Sequence, residues 1–251
     1  RNEIIHCDAG PNIVRAYPTK ISGAGFTAAI DNVVEGIDKW FRPADVCVAP
    51  DGSLYVTDWY DPGVGGHNMQ DLERGRLFRI APDGSEYHFH ELDLSSMEGA
   101  VAGLKSPNLS TRYLAWTNLH QAGEKAEASL QQLFERGTSR ERARALWLLA
   151  KIKGKSLHYV ELAAHDEDAE IRATSLRIAR QTGIDLIDVI KLVKDDESPQ
   201  VRREALIALR FLKSEEAHRI WAHFATKHHG QDRWYLEALG IGADLHWEGR
   251  F

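Results

Sequence analysis

Four stretches set thirty residues apart decide the fold: NLSTRYLAWTNL at 108–119, TSRERARALWLL at 138–149, DAEIRATSLRIA at 168–179 and SPQVRREALIAL at 198–209. Each opens on a residue type that caps helices, namely Asn108, Thr138, Asp168 and Ser198. Their short polar side chains accept from the free N–H groups of a first helical turn. Four residues on stand Arg112, Arg142, Arg172 and Arg202. Seven on come the small residues Ala115, Ala145, Ser175 and Ala205, and eight on the large apolar Trp116, Leu146, Leu176 and Leu206. Eleven on are Leu119, Leu149, Ala179 and Leu209. Positions seven, eight and eleven form one apolar stripe on a helix. Pro199 sits at a first helical position, where its missing N–H costs nothing.

A second helix follows in the later units. Leu186, Val189, Ile190 and Val193 keep a helical apolar spacing, as do Ala217, Ile220, Trp221 and Phe224. One helix pair cannot bury its own apolar face, so neighbours must stack. The expected architecture is an α-solenoid over residues 95–251, and the pattern over 106–243 resembles short bacterial HEAT repeats. The fifth unit diverges: Leu236 and Leu239 are expected in register, but His228 stands where a cap belongs. The repeated arginine has two readings. It bridges adjacent repeats or lies along its helix as a solvated stem; alternatively, the four form a ladder for an anion.

Residues 1–94 have a different rhythm. Ile4–Cys7 and Ile13–Tyr17 are short β-type runs around the turn at 9–12. Asp45–Val48 and Leu54–Thr57 flank Pro50-Asp51-Gly52, a turn by mechanism: proline presets φ, Asp bonds its own backbone and Gly supplies positive φ. Arg76–Ile80 is a further strand, and Ala81-Pro82-Asp83-Gly84 repeats the turn at 49–52. Short antiparallel strands with a recurring turn suggest propeller blades. A blade needs about four strands and a ring at least about four blades, so this segment supplies two at most. Two blades leave open sheet edges. The fold class is therefore α+β and multidomain: a partial β-propeller at 1–94, then the helical repeats.

With 43% hydrophobic and 27% charged residues the chain builds an ordinary core and surface. A formal charge of −6 argues against general nucleic-acid binding, which needs a positive field. No apolar run reaches the roughly 18 residues of a membrane span. The two cysteines, Cys7 and Cys47, fall in separate strands, and no CxxC or CxxCH occurs. Two buried free thiols are expected, with a disulfide as the alternative.

The densest loop runs from Trp40 to Asp45 and from Asp58 to His67. Asp58, Asp61 and His67 offer oxygen and nitrogen ligands for a metal, or an acid–base pair, beside glycine-rich backbone that a ligand can approach. Against this, the two carboxylates suit bonds to backbone N–H groups of an elaborate connection. Their spacing matches no calcium loop. Gly63–Gly66 opens no helix of a βαβ unit and so is no dinucleotide fingerprint. His6-Cys7-Asp8 lies on one strand, where neighbours point oppositely. His88 and His90 read as a solvent-facing pair, and His228-His229 as a helix-end dipole contact.

HCDAGPN at 6–12, FRPADVCVAPDGSLYVTDWYDPGVGGH at 41–67 and RGRLFRIAP at 74–82 resemble the last blades of the large propeller proteins of planctomycetes and relatives called membrane-bound dehydrogenases. DRWYLEALGIGA at 232–243 resembles the family's segment after its repeats. The group is similar to the glucose/sorbosone dehydrogenases, whose soluble members use pyrroloquinoline quinone. The resemblance implies a periplasmic or secreted protein and hydride transfer from an alcohol or aldose to that quinone, with calcium as second cofactor. It also implies a cytochrome c domain as partner. In the soluble glucose dehydrogenases an arginine three residues before the Asp-Val of the last-blade strand contacts the cofactor's carboxylates, and Arg42 stands there. The family's catalytic histidine lies in earlier blades, so 251 residues of this kind lack a complete active site. A non-catalytic scaffold, presenting a concave binding surface, is the other reading.

Overall fold

The computed structural model describes residues 3–63, 73–88 and 91–250. The architecture is α+β, with small antiparallel sheets followed by helices. The chain divides into a β-rich unit (residues 1–20, 27–92 and 106–112) and a helical unit (21–26, 93–105 and 113–251). The described strands close no ring. No described helix is long and apolar enough to cross a membrane.

In the β-rich unit, β1 (Ile4–Asp8), β2 (Ile13–Tyr17) and β5 (Asp31–Glu35) form one sheet in the order β1-β2-β5. The second sheet is β6 (Pro43–Val48), β7 (Leu54–Asp58) and β8 (Arg76–Ile80), in that order. The hairpin β3 (Thr19–Ser22) and β4 (Gly25–Ala28) stands between β2 and β5 in the chain. Residues 18–35 carried no strand expectation, because their side chains are small, polar or exposed and their alternation is weak.

Register explains the core. On central strand β2, Val14 lies opposite Cys7 on one side and Val34 on the other. On central strand β7, Val56 lies opposite Val46 and Phe78. Both valines are fully buried, and among the described residues they form one buried cluster with Phe41. Ile5, Cys7, Val34, Val46 and Ile80 pack half-buried around it. Cys7 and Cys47 are free thiols, and Cys47 is exposed, not buried as expected, because β6 turns that face of the pleat outward. The two Ala-Pro-Asp-Gly turns form with Gly52 at φ +88° and Gly84 at φ +72°. The first closes β6 onto β7 through Gly52 N–H to Ala49 O at 2.9 Å. The second closes no hairpin: residues 85–88 are not a strand.

The helices α2 (Leu109–Ala122), α4 (Ser139–Leu149), α6 (Ala169–Thr182) and α8 (Pro199–Ala208) begin thirty residues apart, preceded by α1 (Met97–Lys105). Thr138 caps through a reciprocal box with Glu141, and Asp168 accepts from Glu170 N–H. Asn108 accepts from Thr111 N–H at 3.0 Å and also donates to Ala49 O at 2.6 Å. Positions seven and eleven are buried in all four units; position eight is buried in three, with Trp116 partly exposed. The second helices α3 (Glu127–Arg136), α5 (Ser156–Ala164), α7 (Leu186–Val193) and α9 (Glu215–Ala225) alternate with the first.

Two of the four arginines, Arg142 and Arg172, tie one helix pair to the next. Arg172 binds Asp196, twenty-four residues ahead, through Nε to Oδ2 at 2.6 Å and Nη2 to Oδ1 at 2.9 Å. Its Nη1 donates to the Asp166 and Glu167 carbonyls at 2.8 and 2.9 Å. Arg142 reaches Asp166, again twenty-four residues ahead, through Nη2 alone, and its Nε donates to Phe134 O at 2.8 Å. Arg202 and Arg112 keep only the carbonyl half of the pattern, on Asp196 and Glu197 and on Ser106 and Pro107. Arg172 thus spends all three of its nitrogens, and Arg142 its Nε and Nη2, on acceptors of the chain itself.

The fifth unit corrects the expectation. The helix α10 (Arg233–Ala243) is capped by Asp232, four residues beyond His228, and the last short helix is α11 (Trp247–Arg250). The later start rotates the face: Tyr235, Ala238 and Leu239 are buried, whereas Leu236 is 57% exposed. His228 instead stacks on Tyr235, with ring centroids 5.8 Å apart. Gly242 lets α10 approach α8, since a Cβ there would stand 2.7 Å from Leu206 O.

Candidate functional site

The loop cluster of the β-rich unit is organised by Asp58. This residue ends β7, and the antiparallel register sets Arg76 of β8 directly opposite it. Its side chain is fully buried. Oδ1 accepts from Arg42 N–H at 2.7 Å and Tyr60 N–H at 2.9 Å. Oδ2 accepts from Arg76 Nε and Nη2, each at 2.6 Å. A carboxylate with two backbone donors on one oxygen and a guanidinium fork on the other has no lone pair directed at a ligand. Burial disfavours the Arg76 charge, but its bonds to Asp58 and then to Asp38 outweigh this and raise its pKa. The Trp40 N–H, with help from Arg76, holds Asp38 below the ordinary carboxylate range.

Asp58 also fixes the backbone around it. Tyr60 sits at φ +51°, the left-handed region that a bulky residue avoids. The Tyr60 N–H bond to Asp58 stabilises that conformation, and the Arg76 guanidinium lies 3.9 Å from the Tyr60 ring centre. Trp40 packs on the same ring at 5.5 Å. Asp61, also buried, accepts from Gly63 N–H at 2.7 Å through Oδ1. It therefore closes a local Asx turn.

Arg42 was the residue matched to a quinone's carboxylates. Its Nη1 donates to Ala9 O at 3.2 Å and its Nη2 to Pro62 O at 3.2 Å. The side chain is thus a clamp between the turn after β1 and the loop after β7. A fork for a carboxylate needs parallel N–H groups aimed outward together, and here both terminal nitrogens are engaged by the chain's own carbonyls. His67 lies outside the described residues, so the expected set of Asp58, Asp61 and His67 is placed only as far as its two carboxylates. Among the described residues no three His, Cys, Asp or Glu side chains converge on a point that could hold a metal. The described residues therefore do not by themselves fit pyrroloquinoline quinone or calcium.

The other candidates resolve as structure. His6 lies 6.3 Å from the Tyr17 ring, and Asp8 pairs with Arg15 at 2.7 Å. His88 follows the second turn outside any strand, and His90 lies outside the described residues. Arg76 and Asp38 belong to the cluster and were not singled out from sequence. The signal that could have found Arg76 is its place in a strand next to the one ending in Asp58, where opposite charges pair across a ladder.

A family model described as a domain of unknown function, DUF7133, matches residues 1–84, the part of the chain that holds this cluster. No curated protein matches the chain. The β-rich front is thus similar to that domain, and the helical repeats lie outside the match.

Proposed function

We propose that this chain is the closing and docking portion of a propeller-based, quinoprotein-like dehydrogenase. The two three-stranded sheets act as blades that stack against further blades. The helices act as a HEAT-type solenoid that docks a partner such as a cytochrome c domain. The observation that carries this reading is the thin core of the β-rich unit. Among the described residues its buried cluster is Val14, Phe41 and Val56, with Ala16 and Ala49 buried besides, while Ile4, Leu77 and Ile37 stay largely exposed. A self-sufficient domain of this size buries far more apolar surface than these few side chains, and among the described strands β5 and β8 stand at the edges of their sheets. Further blades would cover those faces.

On this reading the catalytic group and the cofactor contacts belong to the other blades. Arg42 and Asp58 hold the last-blade loop in shape beside them. The test uses a protein carrying all blades together with this chain, mixed with pyrroloquinoline quinone and calcium. An absorbance shift and dye reduction on sugars are expected. Absence of cofactor binding by that protein overturns the enzyme reading.

A second reading is a non-catalytic interaction scaffold. The specific observation in its favour is that Arg42, Asp58 and Asp61 are all engaged within the chain. The same assay separates the two, since a scaffold leaves the dye oxidised.

A further inference from the structure

The fifth helical unit breaks the thirty-residue spacing, and six residues from far upstream lie where it does so. Residues 21–26, the end of β3, its turn and the start of β4, count with the helical unit. At their centre Ala24 is fully buried. Its N–H donates to Asp232 Oδ2 at 2.7 Å, and its carbonyl accepts from Arg203 Nη1 at 2.6 Å. Both polar groups of one backbone residue are thus taken by side chains of α8 and of the α10 cap.

The grip is built, not incidental. Arg203 is held by Glu204, which receives Arg203 Nη2 at 2.8 Å and Arg177 Nη2 at 2.9 Å. The flanking residues admit no side chain. A Cβ on Gly23, which sits at φ +57°, would stand 2.4 Å from Asp232 Oδ2. A Cβ on Gly25 would stand 2.2 Å from the Trp234 ring. The surface therefore reads the backbone of a turn and excludes substituents on both sides, which is selection for a Gly-X-Gly tip.

We propose that residues 21–26 are the closing element of the helical array, and that the spacing breaks at Asp232 so that one side chain serves two elements. Asp232 Oδ1 accepts from Tyr235 N–H at 3.1 Å and caps α10, while Oδ2 holds Ala24. Because the same carboxylate completes both, docking of the tip and order in the first turns of α10 are one coupled equilibrium. This inference is independent of the dehydrogenase reading.

The test is amide hydrogen exchange on the full chain. Gly25→Val forces the tip off Trp234 and leaves α10 unaltered in sequence. Expected are loss of protection at Ala24 and exchange roughly tenfold or more faster at 236–239, with α4 and α6 unchanged. Adding Trp234→Ala to Gly25→Val makes room and restores protection at Ala24. Asp232→Asn keeps a good cap through its amide oxygen but sets an NH2 donor against the Ala24 N–H, which loses its acceptor, so Ala24 exchanges faster while α10 changes less than in Gly25→Val. Unchanged exchange at 236–239 in Gly25→Val, with Ala24 released, overturns the coupling. If that variant does not fold, unchanged exchange at Ala24 in Asp232→Asn overturns the proposal.

Discussion

Replacing Asp196 by alanine is expected to be among the most damaging single changes to the helical unit. The Asp196 side chain is 5% exposed and that of Arg172 is 19% exposed, so the pair is largely shielded from water. The substitution removes two charge-assisted bonds, at 2.6 and 2.9 Å, and the bond from Ser198 N–H to Asp196 Oδ1 at 2.8 Å. It leaves a guanidinium whose Nε and Nη2 lose their partner in a semi-buried place. Breaking one side of such a pair costs about 3–5 kcal/mol. Asp196→Asn, which keeps an acceptor for Ser198, should cost about half as much. The control is Asp244→Ala. Asp244 pairs with Arg210, but both side chains are 42% exposed. Water and salt screen that pair, so about 1 kcal/mol or less is expected. Urea unfolding followed by circular dichroism reads both, with exchange at α6 and α8 reporting local loss should the array unfold in parts. A cost below about 1 kcal/mol for Asp196→Ala, or equal costs for the two aspartates, would refute the view that Arg172 ties one helix pair to the next.

The shifted face of α10 makes a paired prediction: Leu176→Ala, at a fully buried site, should cost about 2–5 kcal/mol, and Leu236→Ala within about 0.5 kcal/mol, both read by urea unfolding. In the β-rich unit, Asp58→Ala should destabilise by about 3 kcal/mol, read by exchange at Tyr60 and Arg42, because two backbone N–H groups and the Arg76 fork lose their acceptor. The Ser53 hydroxyl and then Arg79 pull Asp51 from 3.8 down to about 2. A carboxyl depressed on folding adds stability above its unfolded pKa, so this contribution holds above pH about 4 and fades between about 4 and 2; Asp51→Asn should flatten that limb of the acid-unfolding curve. Titration with an aromatic disulfide should show fast reaction at Cys47, which is exposed, and slow reaction at Cys7, whose thiol burial and the nearby Asp45 charge push up.

Much of this molecule was legible residue by residue. The caps Asn108, Thr138 and Asp168, the burial of positions seven and eleven, and the turn at 49–52 follow from local chemistry that acts within a few residues of itself, whereas Ser198 stands at its N-cap without a side-chain cap bond. Val46 and Val48 of β6 and Leu54 and Val56 of β7 likewise declared their shared face, since a strand's side-chain period needs no distant partner. The role of Asp58 was half legible. An aspartate in a loop announces bonds to nearby N–H groups, but the choice of Arg76 as its partner depends on which strand pairs with which and in what register.

Contacts across long stretches of chain were decided by tertiary structure alone. Nothing local in Gly23-Ala24-Gly25 speaks of Asp232, 208 residues away from Ala24, and nothing around His228 says that its cap has moved four residues on. Helix caps and strand alternation are set by bonds a residue makes with its own neighbourhood, whereas the meeting of 24 with 203 and 232 exists only once the array has stacked and brought a carboxylate and a guanidinium to the two sides of one peptide group.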